Sequence, residues 1–423
     1  MNDYDVIVAG GGSAGVAAAV GASRAGARTL LVESGPCLGG AATLRNVATY
    51  CGIYTRDDMR QMVFGVAEEL LTGLRNMGAV SEPTRFNGIA VVFDPESVKR
   101  VADELCVRAG VDVLLHAQVL SAERESDSIT AVRVADHSGI HELHARAFVD
   151  ATGEADLADR AGAEVRYGHD GWVQNGTLGV RFGGISADVE VVRKAIADAV
   201  RAAKRAGGTD LTGEAGLIAR MPISGDLIAY LADEAYDARS ARDTSRAEIA
   251  ARRQAQEYLR VIRTLPGCSA AYIVTTGPEL GTRESRHLVG RYQLTEQEVL
   301  EPGPTSDAVA IGAWPIEFHP GPGIPSEWRF IGAPGYYGIP LDVLRSRNTS
   351  NLFGAGRTVD GDRGAGASMR VMGTALATGH AAGIAAALTA HDGDATTEAV
   401  RAELDRQDAR LPRAADGLQR AVG

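Results

Sequence analysis

Asp3-Tyr4-Asp5-Val6-Ile7-Val8-Ala9-Gly10-Gly11-Gly12-Ser13-Ala14-Gly15 is the stretch from which the fold is read. Tyr4 to Ala9 is short, apolar and partly β-branched, the character of a buried parallel strand. Gly10, Gly12 and Gly15 then fall at the G-x-G-x-x-G positions. A helix of small residues is predicted from about Ser13 to Ala25, ended by Gly26, and a second strand from Thr29 to Val32 ends in Glu33. Gly10 permits a tight turn, Gly12 lets a pyrophosphate approach the backbone, and Gly15 lets helix and strand pack closely. The helix N-terminus at Ser13 and Ala14 offers unpaired N–H groups and partial positive charge to phosphates. Glu33 lies 33 − 15 = 18 residues beyond the last glycine, near the ~20 expected of the acid that binds a ribose hydroxyl. Glycine supplies 51 of 423 residues, so the spacing alone is weak. Strand, helix, second strand and acid together point to a bound dinucleotide.

A chain of 423 residues exceeds one compact core and divides into two or three domains. Hydrophobic residues at 45% and charged residues at 23% suit a packed globular protein. The net charge, 43 − 54 = −11, argues against a nucleic-acid partner, which needs a concentrated basic surface. No stretch reaches the ~20 apolar residues of a membrane span. The start has no basic region or cleavage site, so no membrane partner and a cytoplasmic location are expected. Cys37, Cys51, Cys106 and Cys268 are scattered without C-x-x-C, and no disulfide framework or metal site is expected. His169 and the other histidines outside the 287 and 319 segments show no ligand spacing.

Beyond Glu33, Ser34-Gly-Pro-Cys-Leu-Gly39-Gly40-Ala41-Ala-Thr43 reads as a loop able to lie against a flat ligand. Helices are predicted over 57–73 and from Asp94, an N-cap before Pro95. A strand over 111–115 and three antiparallel segments within 119–147 follow, and Phe148 to Gly153 is a strand entering a sharp turn. From about 166 to 337 no nucleotide motif occurs. A strand over 175–182 and helices over 188–206 (Val191, Val192, Ile196 and Val200 on one face) and 245–264 mark a separate core there. Leu352 to Ala355 is again a short strand, followed by a Gly- and Asp-rich loop over 359–367, a long helix over 368–390 and a final helix over 396–411.

The motifs Gly-x-Gly-x-x-Gly with Glu33, Leu38-Gly-Gly, Asp150-Ala-Thr-Gly-Glu-Ala-Asp156 and Asn351-Leu-Phe-Gly-Ala-Gly356 resemble those of two-dinucleotide-binding-domain flavoproteins. Thr282-Arg-Glu-Ser-Arg-His287 through Val299, Asp307 through His319, Tyr337-Gly-Ile-Pro340 and Arg370 through Gly383 are similar to segments of the FAD-dependent oxidoreductase family, distantly related to fumarate reductase flavoproteins. The resemblance implies an α/β fold. A Rossmann-type FAD-binding domain would be built from 1–165 and 338–423, with an α+β substrate domain, 166–337, inserted. It implies FAD held by Gly10, Gly12, Ser13, Ala14, Gly15, Glu33 and Ser34, by Gly39, Gly40, Ala41 and Thr43, and by Val119. Ala151, Thr152, Gly153 and Asp156 would complete the site with Gly356, Arg357, Met369 and Arg370. Many members carry Asp where Glu317 stands, which leaves the role of 317 open.

A flavin carries the redox chemistry, and the protein supplies binding, orientation and charge. Oxidation of a C–H bond by hydride transfer to flavin N5 usually needs a base as well. His319 is the leading base, with a structural histidine as its rival, and Glu317 shares its face if the segment is extended. Arg283 and Arg286 can clamp an anionic substrate or pair with acids of their own domain. Tyr337 is an acid–base candidate where the chain re-enters the flavin domain. The helix N-terminus at Met369-Arg370 is expected to face the flavin, with capping by Ser368 as the plain alternative. Covalent flavin attachment to Cys37, Cys51 or a histidine stays open. The expectation is an FAD enzyme oxidising a small polar organic molecule. The alternatives are a fumarate-reductase-type C=C reductase with an arginine as proton donor, and a non-catalytic flavin-binding subunit. The electron acceptor and a homodimer are left open.

Overall fold

Apolar runs short enough to be strands and buried on both faces must form a covered parallel sheet. The computed structural model, which describes residues 3–190, 193–208, 210–303 and 305–412, contains one. Strand β1 (Val6–Ala9) leads into helix α1 (Ser13–Arg24) and strand β2 (Thr29–Val32). The sheet is completed by β3 (Asp112–Leu114), β4 (Ala147–Asp150) and β5 (Leu352–Gly354). The order is β5-β4-β1-β2-β3, all parallel, with Val6 opposite both Thr29 and Ala147, and Phe148 opposite Leu352. A strand from the last fifth of the chain thus joins four from its first 150 residues.

Alternation sends the two halves of each strand to different cores. Val6, Val8, Leu31 and Val149 face α1 and the C-terminal helices. Ile7, Ala9, Leu30 and Phe148 face the antiparallel ribbon of Gln118–Glu125, Ser128–Asp136 and Gly139–His144. The middle of the chain has a four-stranded antiparallel sheet, ordered Ile218–Arg220, Leu227–Glu234, Gly176–Gly183 and Tyr272–Thr276. Helices Arg193–Arg205 and Ala241–Arg263 cover it over a core that includes Leu178, Phe182, Ile196 and Ile262. Val191 and Val192, expected on the first of these helices, lie outside the described residues. Among the described residues no single helix is long and apolar enough to cross a membrane.

Three local expectations are corrected. The helix predicted over 57–73 begins only at Val66. Thr55 Oγ1 bonds both the Asp58 carboxylate and the Arg60 backbone, which holds a turn there, with Met59 at φ +52°. The segment 359–367, expected as a loop, becomes helix α2 (Arg363–Met369) because Asp362 caps it, accepting from Gly364 N and Ala365 N at 3.0 and 2.9 Å. A 92° bend at 370–371 then separates α2 from α3 (Met372–Asp392). Ser368 therefore caps nothing. Its Oγ is buried, donates to Trp314 O at 2.5 Å and accepts from Tyr337 OH at 2.6 Å.

Helices α1 and α3 pack closely because both present small residues. A Cβ built on Gly379 would lie 2.1 Å from Ala14 O, and one on Gly383 1.9 Å from Ala18 O. Gly379→Ala must therefore push the helices apart, at a cost of about 1–3 kcal/mol as for other overpacked cores. Chemical denaturation should show that loss, and an unchanged midpoint would refute the close contact.

Candidate active site

One cavity of about 850 Å³ runs from the first glycine turn to a charged end formed by the middle region and the α2–α3 bend. At the glycine turn Gly10 has φ +97°, and a Cβ there would sit 2.5 Å from Ala151 O. Gly15 packs against that turn and does not line the cavity: its Cβ would lie 1.7 Å from Gly10 O. Helix α1 starts from Gly12 with no side-chain cap. Ser13 Oγ is buried there without a hydrogen-bond partner. Orphan N–H groups and an unsatisfied hydroxyl at a helix N-terminus form an anion cradle. Glu33 braces it, its carboxylate accepting from Gly11 N and Gly35 N, both at 2.6 Å.

The second glycine pair backs onto the first. Gly39 N donates to Gly11 O at 2.8 Å, and a Cβ on Gly40 would be 2.7 Å from Gly12 Cα. Ser34, Gly40 and Ala41 line the cavity. Gly39 and Thr43 do not, which corrects their expected role as lining. Gly39 bends the loop at φ +107°, and Thr43 Oγ1 closes it by donating to Leu38 O at 2.9 Å.

Beyond β4 the buried Asp150 shapes the next turn, accepting from Thr152 N, Thr152 Oγ1 and Ala158 N at 3.0, 2.7 and 2.8 Å. That turn sets Ala151, Thr152, Gly153 and Asp156 along the cavity, with Val119, Gly356 and Arg357 facing it. Glu154 gathers Arg357 at 2.6 Å and Arg45 at 3.4 Å. Burial opposes its charge, but Arg357 and Arg45 hold its carboxyl below the usual range. Met369 is buried in the core and lies off the cavity, so α2 turns it away from the expected site.

At the charged end Ile316–Phe318 is a strand, and Glu317 and His319 project to one side. His319 Nε2 stands 3.1 Å from Glu317 Oε1, while Glu317 Oε2 receives Arg370 and Trp314 Nε1, each at 3.1 Å. Arg283 joins the same cavity and donates to Asn175 O at 2.7 Å. Burial, then the neighbouring Arg283, pushes His319 down to about 4, so its imidazole is neutral at neutral pH. Burial works against charge on Glu317, yet His319, Arg370 and Arg283 together pull its carboxyl well down. Burial and Arg370 lower Arg283. Val371 and Met372, where α3 begins after the bend, also line the cavity.

Two expected catalytic residues lie elsewhere. Tyr337 is buried off the cavity, its hydroxyl bound to Ser368 and its proton held by burial. Arg286 lies off the cavity that Arg283 lines, because Arg286–Leu288 is a strand paired with Val165–Tyr167. Its guanidinium is 3.2 Å from both Asp156 and Asp159. Cys51 lines the cavity, but burial and then Glu317 push its thiol up to about 12, which leaves it a poor nucleophile. Sequence reasoning missed Arg45, Asp233 and Trp314, all lining the cavity. Trp314 had a signal in its place beside Pro315, within the quoted 307–319 segment. Arg45 and Asp233 had none, because their partners are distant in the chain.

A family model described as FAD dependent oxidoreductase matches residues 5–408. A digeranylgeranylglycerophospholipid reductase of Thermoplasma volcanium is 25% identical over 160 residues, 36% of this chain and 40% of that protein, so the chain matches well under half of that relative's length. Among solved structures, a geranylgeranyl bacteriochlorophyll reductase-like protein from Thermoplasma acidophilum is 14% identical with a TM-score of 0.49, covering 96% of this chain and 84% of its own. A p-nitrophenol 4-monooxygenase from Pseudomonas putida is 13% identical with a TM-score of 0.45 over the same shares.

Glu33→Arg replaces the brace of the glycine turn with a cation and should lose most of the bound FAD. The ratio of flavin to protein absorbance after gel filtration measures this, and full occupancy in the variant would remove Glu33 from the nucleotide site.

Proposed function

The chain belongs to the FAD dependent oxidoreductase family, and from that premise we propose that it oxidises a small, polar, anionic organic substrate, with His319 as the base. The cavity suits the cofactor. Its glycine turn holds the unsatisfied Ser13 hydroxyl and an uncapped helix end where phosphates would sit. FAD, when bound, supplies the hydride-accepting redox chemistry.

The observation that carries the reading is the His319–Glu317–Arg370 chain beside Arg283. An ionised Glu317 only accepts, so the proton of a neutral His319 lies on Nε2 and Nδ1 keeps its lone pair. Nδ1 then takes the proton from the substrate O–H or N–H as the hydride leaves. The imidazolium that forms is stabilised by Glu317, the logic of an acid that orients a base. Arg283 and Arg370 repel one another, and a substrate carboxylate between them relieves that repulsion and fixes the orientation of the reacting carbon.

A second reading has its own support. Burial and Arg370 lower Arg283, which favours proton donation from that residue, and the Thermoplasma volcanium relative is named a reductase. In this reading the chain reduces a C=C bond, with Arg283 as the acid. The two readings part on mutation: Arg283→Lys abolishes alkene reduction while His319→Ala spares it.

Under the first reading His319→Ala should retain FAD and slow anaerobic flavin bleaching by substrate at least roughly tenfold, the low end for losing a positioned base. An unchanged rate excludes His319 as the base. The native kcat/KM should fall as pH drops through about 4 and stay level up to neutrality, because His319 is neutral above that value. Glu317 raises the affinity of His319 for its proton, so Glu317→Gln should move this limb to lower pH. A shift to higher pH would contradict the coupling.

A further inference from the structure

Outside the cavity, His169, Glu284 and His287 bring their ligand-capable atoms within 4.8 Å of one another. Glu284 and His287 are buried, and His169 is only slightly exposed. Glu284 Oε1 stands 3.4 Å from His169 Nε2 and 3.3 Å from His287 Nε2. His287 Nδ1 lies 3.1 Å from Val359 O, which can only accept, so Nδ1 carries the proton. Its Nε2 is thereby left facing the carboxylate oxygen of Glu284, 3.3 Å away. His169 Nε2 turns toward the same oxygen, and its other polar neighbour, Arg166 at 3.5 Å, can only donate.

We infer that His169, Glu284 and His287 form a mononuclear site for a divalent transition metal, with Zn²⁺ the ion they match. Ligands about 2.0–2.1 Å from a tetrahedral ion lie roughly 3.3–3.4 Å apart. At the same bond length, octahedral neighbours are roughly 2.9 Å apart. The two imidazole–carboxylate separations are 3.3 and 3.4 Å, and the two imidazoles lie within 4.8 Å of each other. Two imidazoles and one carboxylate also form a ligand set that Zn²⁺ takes, with a fourth position left for water.

The surroundings supply what such ligands require. Val359 O orients His287, and Gln174 N donates to Glu284 Oε2 at 3.1 Å, the outer contacts that hold metal ligands in place. The Arg166 charge, which opposes a cation, is paired with Asp360 at 3.1 Å, and Asp362 adds negative charge toward His169. The same Gln174 accepts from His319 N through Oε1 at 3.1 Å, and Glu284 directly follows Arg283. The metal would therefore tie down the two segments that present Arg283 and His319 to the cavity.

The full FAD-loaded chain, stripped with a chelator, would be titrated with Zn²⁺ against a chromophoric competitor. About one equivalent should bind per chain. Glu284→Gln and His169→Ala should weaken that binding at least tenfold while the flavin spectrum stays native. Co²⁺ in place of Zn²⁺ should give tetrahedral bands to the red of the flavin envelope, absent from Glu284→Gln. Absence of saturable Zn²⁺ binding by the native chain overturns the site, and so does undiminished binding by His169→Ala. These readouts are independent of turnover, so they stand apart from the fate of the proposed oxidation.

Discussion

The contact between α1 and α3 governs where everything else can be. Gly379 and Gly383 lie against the backbone of Ala14 and Ala18 with no room for a methyl group. This sets the start of α1, with its uncapped N–H groups, beside the start of α3 at the bend. Gly356 fits into the same junction at φ +72°, its N–H bound to Thr378 Oγ1 at 3.1 Å. Glycine turn and charged end are thus two ends of one rigid object, and the distance between them is set by helix packing. Larger residues at these positions would have required a looser arrangement of the cavity's two ends.

Charge is arranged with similar economy. Glu317 is one carboxylate serving Arg370, His319 and Trp314, in a site from which burial removes most solvent. Buried ion pairs add little net stability, because desolvation cancels much of the attraction, but removing one partner strands the other. The group is better understood as a device that fixes orientation and protonation. With Glu317 held ionised and His319 neutral, the imidazole has a defined hydrogen on one nitrogen and an open lone pair on the other. Glu154 does comparable work along the cavity for Arg357 and Arg45.

The nucleotide half was legible because its signals are local. Strand, glycine spacing, helix and acid follow one another within the first 33 residues, and each has a short-range physical cause. Local patterning failed where capping or a distant partner decided the outcome. Asp362 made a helix of a glycine-rich segment that read as a loop. Pairing with Val165–Tyr167 made a strand of Arg286–Leu288 and sent Arg286 away from Arg283. Tyr337 looked available for chemistry but is enclosed against Ser368. His169 and His287 are 118 residues apart (287 − 169), and only the folded chain brings them to one carboxylate. No spacing rule could have found them.

The placement of β5 beside β4, and of α3 against α1, has a consequence for biosynthesis. Ala14 waits for Gly379, which is 379 − 14 = 365 residues away. At bacterial or eukaryotic elongation rates that interval is roughly 20–70 s. From the making of β4 until β5 follows, 352 − 150 = 202 residues later, β4 presents an unpaired edge, and until α3 is made α1 lacks the helix that covers it. Such an edge pairs readily with other nascent chains. The parallel sheet and the α1–α3 contact that fixes the cavity's two ends are thus complete only once α3 has been made.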